Sequence, residues 1–169
     1  GPMMLALAGD AAQNPVLRLE AFKGVGTLRP ADAVDPLLDL VSESSPSIRA
    51  AALRALARVD PETFLAALAG TDSDRDWIVR SEQAAALGGL SAAQASPRLT
   101  AMLKDSDQRV VPAVLNALVA LKAPGLEPVL LEYMKAEDPV TRAAAATGLG
   151  ALAAAQAVRP LSDAYTAWQ

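Results

Sequence analysis

Apolar and polar positions along the chain recur with a period of 31 residues, unbroken by insertion or deletion over five copies. Leu37, Leu68, Leu99, Leu130 and Leu161 form one column, and Asn14, Ser45, Asp76, Asp107 and Asp138 form another. A fixed period of this length belongs to stacked arrays in which each unit buries its apolar face only against its neighbours. Behind each polar position the apolar columns follow at spacings of three, four and one residue, as one helix face requires. Among them are Leu17/Ile48/Val79/Val110/Thr141 and Val25/Leu56/Leu87/Leu118/Leu149. A third column, Gly24/Ala55/Ala86/Ala117/Gly148, is small in every copy and lets a neighbouring helix approach closely.

The polar column reads as a helix N-cap, because Asn, Ser and Asp can accept a hydrogen bond from the free N–H groups of a first turn. Pro15, Pro46 and Pro139 follow at the first helical position, where a missing N–H is harmless. Each repeat therefore holds two helices, the first carrying the leucine column and the second starting at the cap. The pattern predicts first helices at 31–42, 61–70, 92–104, 124–135 and 155–168, and second helices at 46–58, 76–90, 108–121 and 139–153. Met3 to Gly9 reads as the tail of an earlier first helix, followed by a second helix at 15–26. The expected fold is all-α, a right-handed α-α superhelix of antiparallel helix pairs. About five units at the usual 8 to 10 Å helix spacing would span about 40 to 50 Å.

Composition agrees with that architecture and removes most chemistry. Of 169 residues, 52% are apolar but only 4% aromatic, so the core must be made of small side chains in close helix contact. There is no histidine and no cysteine, which excludes disulfides, thiol nucleophiles, Cys/His metal sites and histidine acid/base chemistry within this chain. The net charge of -4 has the wrong sign for neutralising many phosphates, so nucleic acid is not an expected partner. The most apolar stretch, Ala143 to Val158, is rich in Ala and Gly and keeps the repeat register, so no membrane insertion is expected. Nor does any cofactor motif occur. Lack of cysteine suits cytoplasm and periplasm alike.

The turn with Asp or Ser-Pro, followed by (Val/Ile)-Arg-x-x-Ala-x-x-Ala-Leu, resembles HEAT-like repeats. Ile48-Arg49 to Ala55-Leu56 and Val79-Arg80 to Ala86-Leu87 are the clearest instances. The short unit is similar to the bacterial HEAT-like repeats of phycobilin lyases. The resemblance implies that Arg18, Arg49, Arg80 and Arg142 form a structural ladder with acids of the turns, and that Val111 breaks it. It also implies a scaffold that holds other proteins or domains. With no histidine, the iron-binding role of some relatives is ruled out.

Several residues stand apart from the repeat. Asp72-Ser73-Asp74-Arg75-Asp76 spaces carboxylates like half of a calcium loop, but Trp77 and Gln83 stand where Gly and Glu are needed, so an acidic turn is expected. Trp77 has two readings, as an exposed interface anchor or as cover for the long turn before it. Pro112, beside Val111, would clash with the carbonyl of Gln108 unless its helix starts late or bends. Successive second helices should build the inner surface, with Leu19, Phe22, Lys23, Ala50, Leu53 and Arg54 among its residues. Tyr165 and Trp168 share one face of the last helix.

The expected function is a non-catalytic scaffold for a protein partner or for another domain of the same chain, with Trp77, Lys23, Arg54 and Asn116 as candidate interface residues. The alternative is an auxiliary repeat domain of a larger bacterial enzyme of peptidase, prolyl isomerase or chromophore-lyase type. Residues 1–169 read as a single array cut from a longer chain, with Gly1-Pro2 as a cleavage scar.

Overall fold

The helix starts follow from prolines and caps. The structure, a computed structural model, describes residues 1–152 and 158–166, and every regular element among them is helical. It falls into two compact units, Gly1–Ala86 and Leu87–Gln169. In the first, α1 (Pro2–Gly9) and α2 (Pro15–Leu28) are followed by a 3-10 turn (Ala31–Ala33) that runs into α3 (Val34–Leu40). Then come α4 (Pro46–Val59), α5 (Pro61–Gly70) and α6 (Trp77–Leu87). The second unit holds α7 (Ala92–Met102), α8 (Val111–Ala120), α9 (Leu126–Tyr133), α10 (Pro139–Ala151) and α11 (Val158–Thr166).

Within the first unit α4 packs against α2 on one side and against α3 and α5 behind it, and α1 backs α2. The second unit repeats the plan, with α8 beside α10 and with α7 and α9 behind them. These are the antiparallel helix pairs that the period requires. The leucine column is the core: Leu37, Leu99 and Leu130 are fully buried and Leu68 nearly so. The close approach predicted for the small column is realised at Gly148, where an added Cβ would stand 2.8 Å from Val119 Cγ2 and 3.1 Å from both methyls of Leu130. Leu17 departs from its buried column and, like Leu28, lies exposed on α2.

Three of the five predicted caps act through their side chains. Asn14 accepts from Val16 N–H at 2.8 Å, Asp76 from Ile78 N–H at 2.9 Å, and Asp138 from Thr141 N–H at 2.7 Å. Ser45 holds the cap position of α4, but its side chain makes no cap bond, because the Ile48 N–H donates to the Ser45 backbone carbonyl at 3.1 Å instead. Asp107 is not a cap. Pro112 has no N–H for the Gln108 carbonyl, so α8 starts at Val111 rather than at 108, and the Asp107 carboxylate serves the N–H and guanidinium of Arg109 in the preceding turn. Asp60, which the 31-residue column does not contain, caps α5 with bonds to the N–H groups of Glu62 and Thr63.

Candidate binding groove

Because α2, α4 and α6 start in the same register, the residues one turn off their buried stripes line up across the three helices. Val16, Ser47 and Ile78 form one such row, Leu19 and Ala50 a second, and Lys23 and Arg54 a third. Together they line a groove of about 550 Å³ within the first unit. Its floor is apolar, the Phe22 ring set beside three alanines: Phe22, Ala50, Ala51 and Ala55 are buried. Leu53, expected on the inner surface, is buried too.

The groove walls are charged but largely self-paired. Lys23 Nζ lies 2.6 Å from Glu20, one turn away on α2. Arg54 Nε on α4 donates to Glu82 on α6 at 2.8 Å and so ties two walls together. Arg58 is exposed on α4 and makes no ion pair among the described residues, and its stem crosses the edge of α2 where a Cβ on Gly26 would stand 3.2 Å from Arg58 Cδ. With Lys23, Arg54 and Arg58 against Glu20 and Glu82, the lining carries one excess positive charge, opposite in sign to the whole chain. The set offers shape, apolar area and one unpaired cation.

The arginine ladder stands behind the groove. Arg18 is almost fully buried, with Nε donating to the Ala8 carbonyl and Nη2 to Glu43, each at 2.9 Å. Arg49 meets both oxygens of Asp74 at 2.8 and 2.9 Å and also donates to the carbonyls of Glu43 and Ser44. Each of these bonds to a carboxylate joins one repeat to the next. Arg80 Nη1 reaches the Asp74 carbonyl at 2.7 Å, and Arg142 Nη1 reaches the carbonyls of Ala136 and Glu137 at 2.8 and 2.7 Å. Burial alone would push the Asp74 carboxyl up, but the Arg49 hydrogen bonds, the Asp76 N–H and the Arg49 charge together hold it below the usual carboxylate value. The turn that resembled half a calcium loop is thus built as a ladder rung and a cap.

Arg49 thus clamps the turn before its own helix and bonds an acid of the next unit. The family description of HEAT repeats matches residues 4–88 and 97–167. The chain belongs to the HEAT repeats family. Among solved structures this HEAT array is similar to the complex of CpcE and CpcF of phycocyanin lyase from Nostoc sp. PCC7120, with a TM-score of 0.63 at 20% identity over 89% of the array. The match covers 64% of that lyase chain, less than two thirds of its length. An engineered protein matches with a TM-score of 0.54 at 18% identity, over 97% of this chain and 84% of its own. These likenesses concern the fold. No curated protein sequence matches.

Of the predicted interface residues, the structure brings Lys23 and Arg54 together in the groove. Trp77, at the first position of α6, is half-buried, and the groove is lined by its neighbour Ile78 instead. Asn116 is exposed on α8 in the second unit. Glu20, Arg58 and Glu82 are groove residues that the column reading passed over. Arg58 lies four residues after Arg54, so the helical spacing contained the signal. The Glu82 pairing depends on how α6 lies beside α4. Tyr165 is exposed, and Trp168 lies outside the described residues.

Proposed function

We propose that this HEAT array is a non-catalytic scaffold and that the groove across α2, α4 and α6 receives a segment of a protein partner or of another domain. The observation that carries the reading is the groove itself: a floor of buried apolar side chains, walls whose charges are mostly paired, and an unpaired Arg58 at the rim. Such a lining favours apolar contact with a polar rim, the usual anatomy of a protein interface. Membership of a repeat family that commonly mediates protein interactions supports it further.

Site-specific photo-crosslinking in cells tests this. A photoreactive residue replacing Lys23 is expected to capture a discrete partner, and Arg54→Glu is expected to abolish the capture. The same residue placed at Asp72, outside the groove, should capture nothing in common with it. Identical partners from both positions, unaffected by Arg54→Glu, would overturn the groove assignment.

The likeness to a phycocyanin lyase complex supports a second reading, a helper module for a larger bacterial enzyme. It predicts that the array alone promotes no chromophore attachment but stimulates a separately supplied catalytic chain.

A further inference from the structure

Charge in the groove is not something the repeat needs. The column of Lys23 and Arg54 continues as Asn116 on α8 and Thr147 on α10, and that of Arg58 as Ala120 and Ala151. The column of Glu20 and Glu82 continues as Ala113 and Ala144. Helices of the same repeat thus pack without charge at these positions, so the charges of the first unit answer to something other than the fold.

They are also ordered along the groove. Val16 and Ile78, 67% and 37% exposed, stand at the end where α2 and α6 begin, and Arg58 stands where α4 finishes. From Ser47 to Arg58 the wall formed by α4 runs about 16 Å, at 1.5 Å per residue. Arg58 is held ready at its end. Gly26 makes room for the stem, since a Cβ there would stand 3.2 Å from Arg58 Cδ and 3.8 Å from Arg58 Cβ, while the exposed guanidinium has no ion pair among the described residues. Between the two ends the floor of Phe22 and alanines offers no polar side chain, and the backbones of α2 and α4 are bonded within their own helices. An extended segment laid there would bury unpaired N–H and C=O groups, whereas a helix brings its own bonds.

Resting on the groove as the binding face, we propose that its occupant is an acidic amphipathic helix of a protein partner, about three turns long. Its apolar face lies on the floor and against Val16 and Ile78, and a carboxylate on its flank pairs with Arg58. Charge complementarity selects the acid: Lys23 and Arg54 already have Glu20 and Glu82, and Arg58 is the cation left over. A basic helix would meet three cations, and one excess charge over an apolar floor does not suit a polyanion.

Selection of phage-displayed random twelve-residue peptides on the intact chain, followed by fluorescence anisotropy of the enriched peptides, is the test. These peptides are expected to carry apolar residues at spacings of three and four, flanked by Asp or Glu. Arg58→Glu should weaken their binding at least about tenfold, because like charges across an interface are costly, and Arg58→Lys should weaken it less. Lys104→Glu, the same charge change at an exposed position of the second unit, should leave it unaltered. Replacing the peptide acid by its amide should cost about tenfold on the parent and much less on Arg58→Gln, a coupling that a general charge effect would not produce. Arg58 is exposed, so these variants should keep their helical circular dichroism. Peptides that lose binding on Val16→Gln with Ile78→Gln, yet need no acid and ignore Arg58→Glu, would overturn the acidic occupant and leave the groove reading standing. Peptides indifferent to both sets of variants would overturn the two together, and failure to enrich any peptide would overturn the acidic helix.

Discussion

Val111 and Ala136 stand 25 residues apart, the separation that joins Arg18 to Glu43 and Arg49 to Asp74, and between them the ladder has neither its arginine nor its acid. Val111 is fully buried. Losing one member of a buried pair leaves an uncompensated charge, whereas exchanging both for apolar groups is nearly neutral. The paired loss fits that asymmetry.

The same asymmetry should be measurable at the intact rung. Asp74→Ala alone is expected to destabilise the chain by about 3 kcal/mol, because buried Arg49 loses its carboxylate. Adding Arg49→Val should restore about 1 to 2 kcal/mol of that loss, the size of coupling found between contacting residues. Urea unfolding of the two single variants and the double variant completes the cycle. Strict additivity would mean that the rung is not a coupled pair.

Two glycines of α10 should respond in opposite directions to alanine. A Cβ at Gly148 meets Val119 and Leu130 at 2.8 to 3.1 Å, so Gly148→Ala is expected to cost about 1 to 3 kcal/mol by overpacking. Gly150 has nothing within 4 Å of the added atom, and Gly150→Ala should stabilise by about 0.5 to 1 kcal/mol through helix propensity. Thermal melts of both variants provide the comparison.

Pro112 sets the start of α8. Pro112→Ala supplies an N–H for the Gln108 carbonyl, so the helix is expected to extend back to 108 with Asp107 becoming its cap. Amide exchange would report this as new protection at residue 112. Unchanged exchange there would show that packing, rather than the proline ring, holds the late start.

Acid should weaken the fold in a narrow window. The Asp60 carboxyl is held below its usual value by the Thr63 N–H and hydroxyl, that of Asp138 by the Thr141 hydroxyl and N–H, and that of Asp74 by the Arg49 and Asp76 bonds that outweigh its burial. In each case the unfolded chain takes up the proton first as pH falls. These groups therefore stabilise the fold fully above about pH 4, near the unfolded carboxyl value, and lose that contribution as pH drops through their lower folded values. Urea midpoints should change little between neutrality and about pH 5 and fall steeply below about pH 4. Asp138→Asn, which keeps a cap acceptor but cannot titrate there, should lose less on acidification than the parent.

The 31-residue period by itself determined the helix count, the pairing of first and second helices, the leucine core and the arginine column, because a stack of identical units leaves each residue type only one kind of neighbour. It also placed Lys23 and Arg54 on one row, since equal register puts equal positions side by side. Tertiary structure alone decided which polar groups meet. Glu82 reaches Arg54, Asp74 takes the Nε and Nη2 donors of Arg49, and Ser45 yields its cap role to its own carbonyl, pairings that depend on how the chain places each side chain in space. Leu17 makes the same point: Ile48, Val79, Val110 and Thr141 of its column are buried, whereas Leu17 is exposed on α2 because no described helix covers it.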